Sequence, residues 1–318
     1  MQYLIFFMKQ QTTDTILMIR PVNFRMNEQT AINNYFQEDI KLKQSEINTR
    51  VRQEFDAFVK KLRIVGIRVI VENDDELIDT PDSIFPNNWV SFHSNGDVAI
   101  YPMFAENRRK ERREEVFIRL ENEGFKIKNI VDYTKAEHEG IFLEGTGSLL
   151  LDRTNKKAYC ALSPRANEDL CIEFCEDFEY SPIIFTANQT VDGKRLPIYH
   201  TNVMMCLAEQ FAVICLDAID DKKERKHVIK HLKQDGKEII SITEAQMHQF
   251  AGNMLQLRGK DSQRYLVMSK TAHQSLVPNQ ITAIEKYCSI LSSSLKTIET
   301  CGGGSARCMM AEVFLPKD

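Results

Sequence analysis

No apolar run in the 318 residues approaches the roughly 18 that a membrane-crossing helix needs. A basic field for nucleic acid is missing as well: 41 Lys and Arg stand against 45 Asp and Glu, a formal net charge of −4. No stretch rich in Pro, Gly or Ser divides the chain, so the expectation is a single domain over residues 15–318 behind an N-terminal extension over 1–14. The opening MQYLIFFMKQQTTD has an apolar patch, but no basic segment precedes it and no small-residue cleavage site follows, which argues against a signal peptide. The 8 cysteines lack the tight spacing of a disulfide framework and read as reduced thiols of a cytoplasmic protein. Metal motifs are also wanting. CIEFC (171–175) has no partner ligands nearby, and HVIKH (227–231) has no Glu beside its first His. Neither a metal nor a cofactor is expected. The expected partner is a small molecule, not nucleic acid or membrane, and self-association into a homo-oligomer stays open.

What is present is a cycle of elements. Apolar alternation marks strands and three–four spacing marks helices. A strand (15–21) leads into a helical region (28–62) with Asn27 as N-cap, then a strand (67–72). A hairpin around Asn95-Gly96 (86–103), a charged helix (106–122) and a strand (126–133) follow. The order repeats as hairpin 142–163, helix 166–178 and strand 181–187. It repeats again as hairpin 200–219, helix 221–234 and strand 237–242. A fourth hairpin (252–269), a helix opening near Pro278 and a strand over 295–300 come next. The tail, 305–315, is half a hairpin that the strand 15–21 completes. Five hairpin–helix–strand modules closed by both termini predict a ring of blades, with a generic α/β sandwich as the alternative.

In such a ring the turn ahead of each hairpin falls at one end of the axis. Those turns hold Asn87-Asn88, Glu144, His200-Thr201-Asn202, Gly252-Asn253 and Gly304 to Cys308. A carboxylate, an imidazole, amides and a thiol would then share a cleft. Taken singly, a cysteine in a strand is usually a small buried hydrophobe, and a lone histidine is usually structural. The run RRKERREE (108–115) reads first as a solvated helix face with i,i+4 pairs.

Several blocks resemble a known superfamily. PDSIFPNNWVSFHSNGDVAIYPMFAENRRKE resembles dimethylarginine dimethylaminohydrolases, FLEGTGSLLL the family's E-G-G-D block, YHTN its His-x-Asp block, and GGGSARCM the cysteine block of arginine deiminases. The chain is similar to the guanidine-modifying amidinotransferase, or pentein, superfamily over about residues 15 to 315. The resemblance implies a five-bladed α/β propeller. It implies Cys308 as nucleophile on a guanidino or ureido carbon, His200 as proton carrier, and Glu144 as the group that orients substrate or His200. Arg108 and Arg165 match arginines that take the substrate's α-carboxylate, a partner suited to a guanidinium fork.

The departures from the pattern carry information. Arginine deiminases and dimethylarginine hydrolases grip a guanidinium with aspartates, but here the matching positions are Asn88 and Asn202, and Ser148 stands where the E-G-G-D block ends. Asp82 survives. Asparagine offers a donor and an acceptor, the mixed pattern of a neutral ureido group, whereas a buried cation wants a carboxylate. The expectation is therefore a hydrolase of citrulline, giving ornithine, CO₂ and ammonia, and the blocks also resemble citrulline-utilisation hydrolases of bacteria. An arginine or dimethylarginine deiminase, an amidinotransferase and an inactive binding module of the same fold remain as alternatives.

Overall fold

A computed structural model of the chain describes residues 10–317. Its strands fall into five three-stranded sheets of one design, plus a separate hairpin. β1 (Thr15–Arg20) pairs in parallel with β2 (Arg68–Asn73). The second sheet is β3 (Val90–Phe92), β4 (Asp97–Ile100) and β5 (Asn129–Asp132), and the third is β6 (Leu149–Asp152), β7 (Lys157–Leu162) and β8 (Ser181–Thr186). After the hairpin β9 (Asn188–Val191) and β10 (Lys194–Pro197) comes a fourth sheet, β11 (Met205–Leu207), β12 (Phe211–Ile214) and β13 (Glu238–Ser241). A fifth holds β14 (Leu255–Arg258), β15 (Arg264–Ser269) and β16 (Ser289–Ser293). β17 (Ala311–Glu312) then returns to lie antiparallel to β1. In every sheet the first pair is antiparallel and the second parallel.

The parallel pairs dictate the helices, because a parallel partner is reached only by a crossover. α1 (Glu28–Ala31) and α2 (Gln44–Ile64) lie between β1 and β2, and α3 (Glu114–Asn122) between β4 and β5. Short α4 (Gly145–Ser148) precedes β6, and α5 (Glu168–Asp177) bridges β7 to β8. Short α6 (Thr201–Met204) precedes β11, and α7 (Lys222–Gln234) bridges β12 to β13. α8 (Glu244–Met247) comes before β14, while α9 (Lys270–Ser275) and α10 (Pro278–Glu285) bridge β15 to β16. α11 (Lys296–Gly302) leads to the tail.

Neighbouring sheets touch through their first strands: β17 meets β3, β6 meets β11, and β11 meets β14. Ile16, Val69, Leu255, Val267 and Met309 belong to one buried apolar cluster, which joins the fifth sheet to the sheet of the termini. Each sheet remains open, with no hydrogen-bonded ladder from one to the next. Among the described residues no helix is long and apolar enough to cross a membrane.

Some expectations need correction. The helical region 28–62 is two helices with irregular chain between them; Asn27 caps only the short one, its side chain accepting from Gln29 N. The helix expected over 106–122 is a 3₁₀ segment, Glu106–Glu111, followed by α3. The segment 295–300 is not a strand. Leu295, Ile298 and Cys301 recur every third residue and are all buried, which makes α11, and the strand of that module is the polar SILSS of β16. The hairpin β9–β10 had no counterpart in the reading, although its Asp192-Gly193 turn, both residues at positive φ, is a strong hairpin signal. Residues 1–9 of the extension lie outside the described residues. Its last part packs against the sheets: Gln11 Nε2 donates to Leu151 O, and Thr13 Oγ1 to Val313 O.

Candidate active site

Five of the site's residues occupy turns ahead of a first strand, whereas Arg108 and Arg165 follow β4 and β7. Asn88 ends the 3₁₀ turn Pro86–Asn88 before β3, Glu144 is the N-cap of α4, and His200 is the N-cap of α6. Asn253 precedes β14 and Cys308 precedes β17. These turns meet. α4 touches both the Pro86–Asn88 turn and α6. Thr30, Asn34, Asp82, Phe85, Asn88, Arg108, Arg165, Tyr199, His200, Gly302, Gly304 and Cys308 line one small, tightly closed cavity.

Glu144 Oε2 lies 2.7 Å from His200 Nε2, both side chains fully enclosed. Burial by itself would raise the Glu144 carboxyl, but Arg165 (3.5 Å), the His200 hydrogen bond and Arg108 (3.8 Å) outweigh it and hold the group at about 2. Burial pulls the His200 imidazole down to about 4, against the upward influence of Glu144. At neutral pH the pair is therefore carboxylate and neutral imidazole. An ionised carboxylate only accepts, so Nε2 carries the ring proton and Nδ1 keeps its lone pair. Gly147 lies against that lone pair: a Cβ there would come within 2.8 Å of His200 Nδ1 and 2.5 Å of Asn88 Nδ2.

The thiol is met by amides. Asn253 Nδ2 is 3.2 Å and Asn202 Nδ2 3.5 Å from Cys308 Sγ. Asn253 also accepts from Arg307 N (3.0 Å) and donates to Asn202 O (3.1 Å), locking the two loops together. Asn202 thus faces the nucleophile. Asn88 is engaged at both ends, its Oδ1 accepting from Arg108 Nη1 (2.8 Å) and its Nδ2 donating to Asn87 Oδ1 (3.0 Å).

Arg108 is no part of a solvated face. It is 2% exposed and held bidentately by Glu111 at 2.8 and 2.9 Å, with further bonds to the Phe85 and Asp82 carbonyls. The charge run hides this because its other basic residues do reach solvent, and only the 3₁₀ winding turns Arg108 inward. Arg165 donates to Thr30 O (2.9 Å) and to Asn33 Oδ1, with its guanidinium carbon 5.0 Å from the Tyr199 ring centre. Ser148, where the family block has its acid, donates instead to Arg165 O (2.8 Å).

Asp82 is buried, which raises its carboxyl against the opposing charge of Arg108. Its Oδ2 accepts from Asn27 Nδ2 (2.8 Å) and Thr30 Oγ1 (3.2 Å), while Oδ1 has no hydrogen-bond partner among the described residues. A buried carboxylate oxygen without a donor is costly, and in a cavity it marks where a ligand's donor fits. The segment 30–37 forms one wall: Asn34 Nδ2 lies 3.4 Å from the Gly302 and Gly303 carbonyls, and Gln37 Nε2 donates to Gly302 O (3.2 Å). Glu111 and Tyr199 have no role in the sequence analysis, whereas Asn253 is among the pre-strand amides it places in the cleft.

The family model for N,N dimethylarginine dimethylhydrolase, eukaryotic, matches residues 20–315. The chain belongs to that family. Its superfamily is the pentein, or amidinotransferase, superfamily. No curated protein sequence matches. Among solved structures, apo ArgZ, an arginine dihydrolase from the ornithine-ammonia cycle in cyanobacteria, has a TM-score of 0.73 at 15% identity over 96% of this chain. The chain spans 41% of ArgZ. The N-terminal domain of ArgZ bound to substrate has a TM-score of 0.71 at 16% identity, covering 95% of this chain and 99% of that domain. A dimethylarginine dimethylaminohydrolase variant in adduct with S-methyl-L-thiocitrulline scores 0.63 at 13% identity, covering 95% and 99%. These likenesses show the fold: an α/β chain of pentein type.

Proposed function

We propose that this chain is a cysteine-dependent hydrolase of the ureido or guanidino group of an arginine-related amino acid, with citrulline as the preferred substrate. The observation that carries the reading is the shared cavity, which Cys308, His200 and Asp82 line together, with Glu144 bonded to His200. In this reading the thiol proton passes to His200 Nδ1 as Sγ bonds to the ureido carbon. The C–NH₂ bond then breaks and ammonia leaves with that proton. Water, deprotonated by His200, attacks the same carbon, the S–C bond breaks, and the released carbamate collapses to ornithine and CO₂. Glu144 holds the tautomer that keeps Nδ1 free. Asp82 Oδ1 takes the substrate's α-ammonium, and Arg108 and Arg165 supply positive charge near its α-carboxylate.

The amides at Asn88 and Asn202 favour a neutral head group, since no carboxylate stands at either position to pair a guanidinium. A second reading, arginine as substrate, is supported by the likeness to arginine dihydrolase and by Asp82, whose free oxygen suits any cation. The same architecture is read as a five-bladed α/β propeller, because the sheets neighbour one another in sequence order and the last shares a core with the first.

Purified protein incubated separately with citrulline and with arginine decides between these. Ornithine formed from citrulline, and faster than from arginine, is the expected result. Citrulline accumulating from arginine would make the chain a deiminase, and no product from either would remove the hydrolase reading.

A further inference from the structure

Glu299 is a buried acid far along the chain from the Glu144–His200 pair. It is 4% exposed, and among the described residues no Lys or Arg lies within ion-pair distance. Two hydroxyls satisfy it instead: Ser305 Oγ donates to Oε1 at 2.6 Å and Thr271 Oγ1 to Oε2 at 2.7 Å. Burial raises its carboxyl, and the hydroxyls of Ser269, Ser305 and Thr271 pull it back. Burying an acid without a cation is costly, and an apolar side chain of similar volume would fill the same space more cheaply.

What the acid does is visible from its contacts. Ser305 lies in the bend between α11 and Cys308, is itself fully buried, and its carbonyl accepts from Cys308 N at 3.0 Å. The Glu299 carbonyl accepts from Gly303 N at 2.9 Å, so the residue holds the bend at two points. The bend has other anchors: Asn34 Nδ2 donates to the Gly302 and Gly303 carbonyls and Gln37 Nε2 to Gly302 O, Tyr199 Oη donates to Gly303 O (2.6 Å), and Asn253 Oδ1 accepts from Arg307 N (3.0 Å). Those grip its ends. Among the described residues only Glu299 holds Ser305 by a side chain, and glycines at 302, 303 and 304 leave the backbone there with little stiffness of its own.

We propose that Glu299 is a positioning residue for the nucleophile: through Ser305 it sets where the Cys308 sulfur stands in the cavity. The proposal rests on the reading of Cys308 as the nucleophile. Displacing a reacting atom by about 1 Å costs on the order of 10²-fold in rate, so a hydroxyl–carboxylate bond three residues away can control turnover.

The experiment compares Glu299→Gln, Ser305→Ala and Thr271→Ala by two readouts. One is the rate of Cys308 alkylation by iodoacetamide, located by peptide mass spectrometry; the other is kcat and KM on citrulline and arginine. Expected are alkylation rates and kcat lowered on the order of 10- to 100-fold in Glu299→Gln and in Ser305→Ala, with KM within about twofold. The double variant Glu299→Gln/Ser305→Ala should be no worse than Ser305→Ala alone, because both changes act on the same bond. Thr271→Ala, which leaves the Ser305 bond intact, should keep wild-type reactivity. Wild-type alkylation and kcat in Ser305→Ala would overturn the proposal, as would equal losses in all three variants that track their melting temperatures. Should the wild type turn over neither substrate, the functional reading fails on its own, and the alkylation series still decides whether Glu299 positions the thiol. If Glu299→Gln does not fold, Ser305→Ala carries the test.

Discussion

At the scale of single residues, the site depends on one position without a side chain. Gly147 leaves room for both His200 Nδ1 and Asn88 Nδ2, and a methyl group would stand 2.8 and 2.5 Å from them. Neither neighbour can swing away, since His200 is tied to Glu144 and Asn88 to Arg108. Gly147→Ala is therefore expected to lower kcat on the order of 10²-fold while leaving the fold cooperative, which steady-state kinetics and a thermal melt together would check. That Cys308, His200 and Glu144 lie at one end was legible in the sequence because each sits in the turn ahead of a first strand, while their proposed roles came from the family resemblance. The burial of Arg108 was not legible. Burial of a charge depends on a partner such as Glu111 and on the local winding, and a run of mixed charges carries no sign of either.

At the scale of elements, the nucleophile's approach is set by the end of α11. The helix stops at Gly303, whose φ of +60° is left-handed, and a Cβ there would lie 2.6 Å from Asn34 Nδ2 and from Gln37 Cγ. Gly303→Ala is expected to cost about 1–2 kcal/mol from backbone strain alone, with a further loss from pushing back the 30–37 wall. Urea denaturation measures the stability, and a rise in KM would report the displaced wall. α11 was misread as a strand because its Leu-Lys-Thr-Ile-Glu-Thr begins with an apolar–polar step, whereas the true strand, SILSS, has too few apolar residues to stand out. The β9–β10 hairpin was passed over for the opposite reason: its turn chemistry was clear, but the flanking segments are polar and exposed.

At the scale of the whole molecule, the five sheets of like pairing were legible because hairpin, crossover helix and parallel strand recur in order, and a parallel pair admits few alternatives. The irregular chain of 32–43, which walls the cavity, was not, since it follows contacts made by distant segments and no periodicity of its own. The cavity charges also tie stability to pH. His200 folded titrates at about 4 against an ordinary 6.5, so below pH 6.5 the unfolded chain binds more protons than the native one. Its contribution to stability is present above pH 6.5 and is lost as pH falls toward 4; Glu144, held at about 2 against 4.5, adds a further loss below pH 4.5. Melting temperature should thus fall between pH 6.5 and 4 in the wild type and fall less steeply in His200→Gln. Equal slopes would mean that His200 is not buried neutral.

The claim on which the account rests is that Cys308 bonds to the substrate's carbon, and it can be observed directly. The protein is mixed with citrulline, and in parallel with arginine, quenched rapidly in acid and weighed intact, with peptide mapping of any adduct. The account expects an adduct on Cys308 equal to substrate less ammonia, absent from Cys308→Ser. Turnover that proceeds undiminished in Cys308→Ser, or an adduct on another of the eight cysteines with Cys308 unmodified, would contradict it.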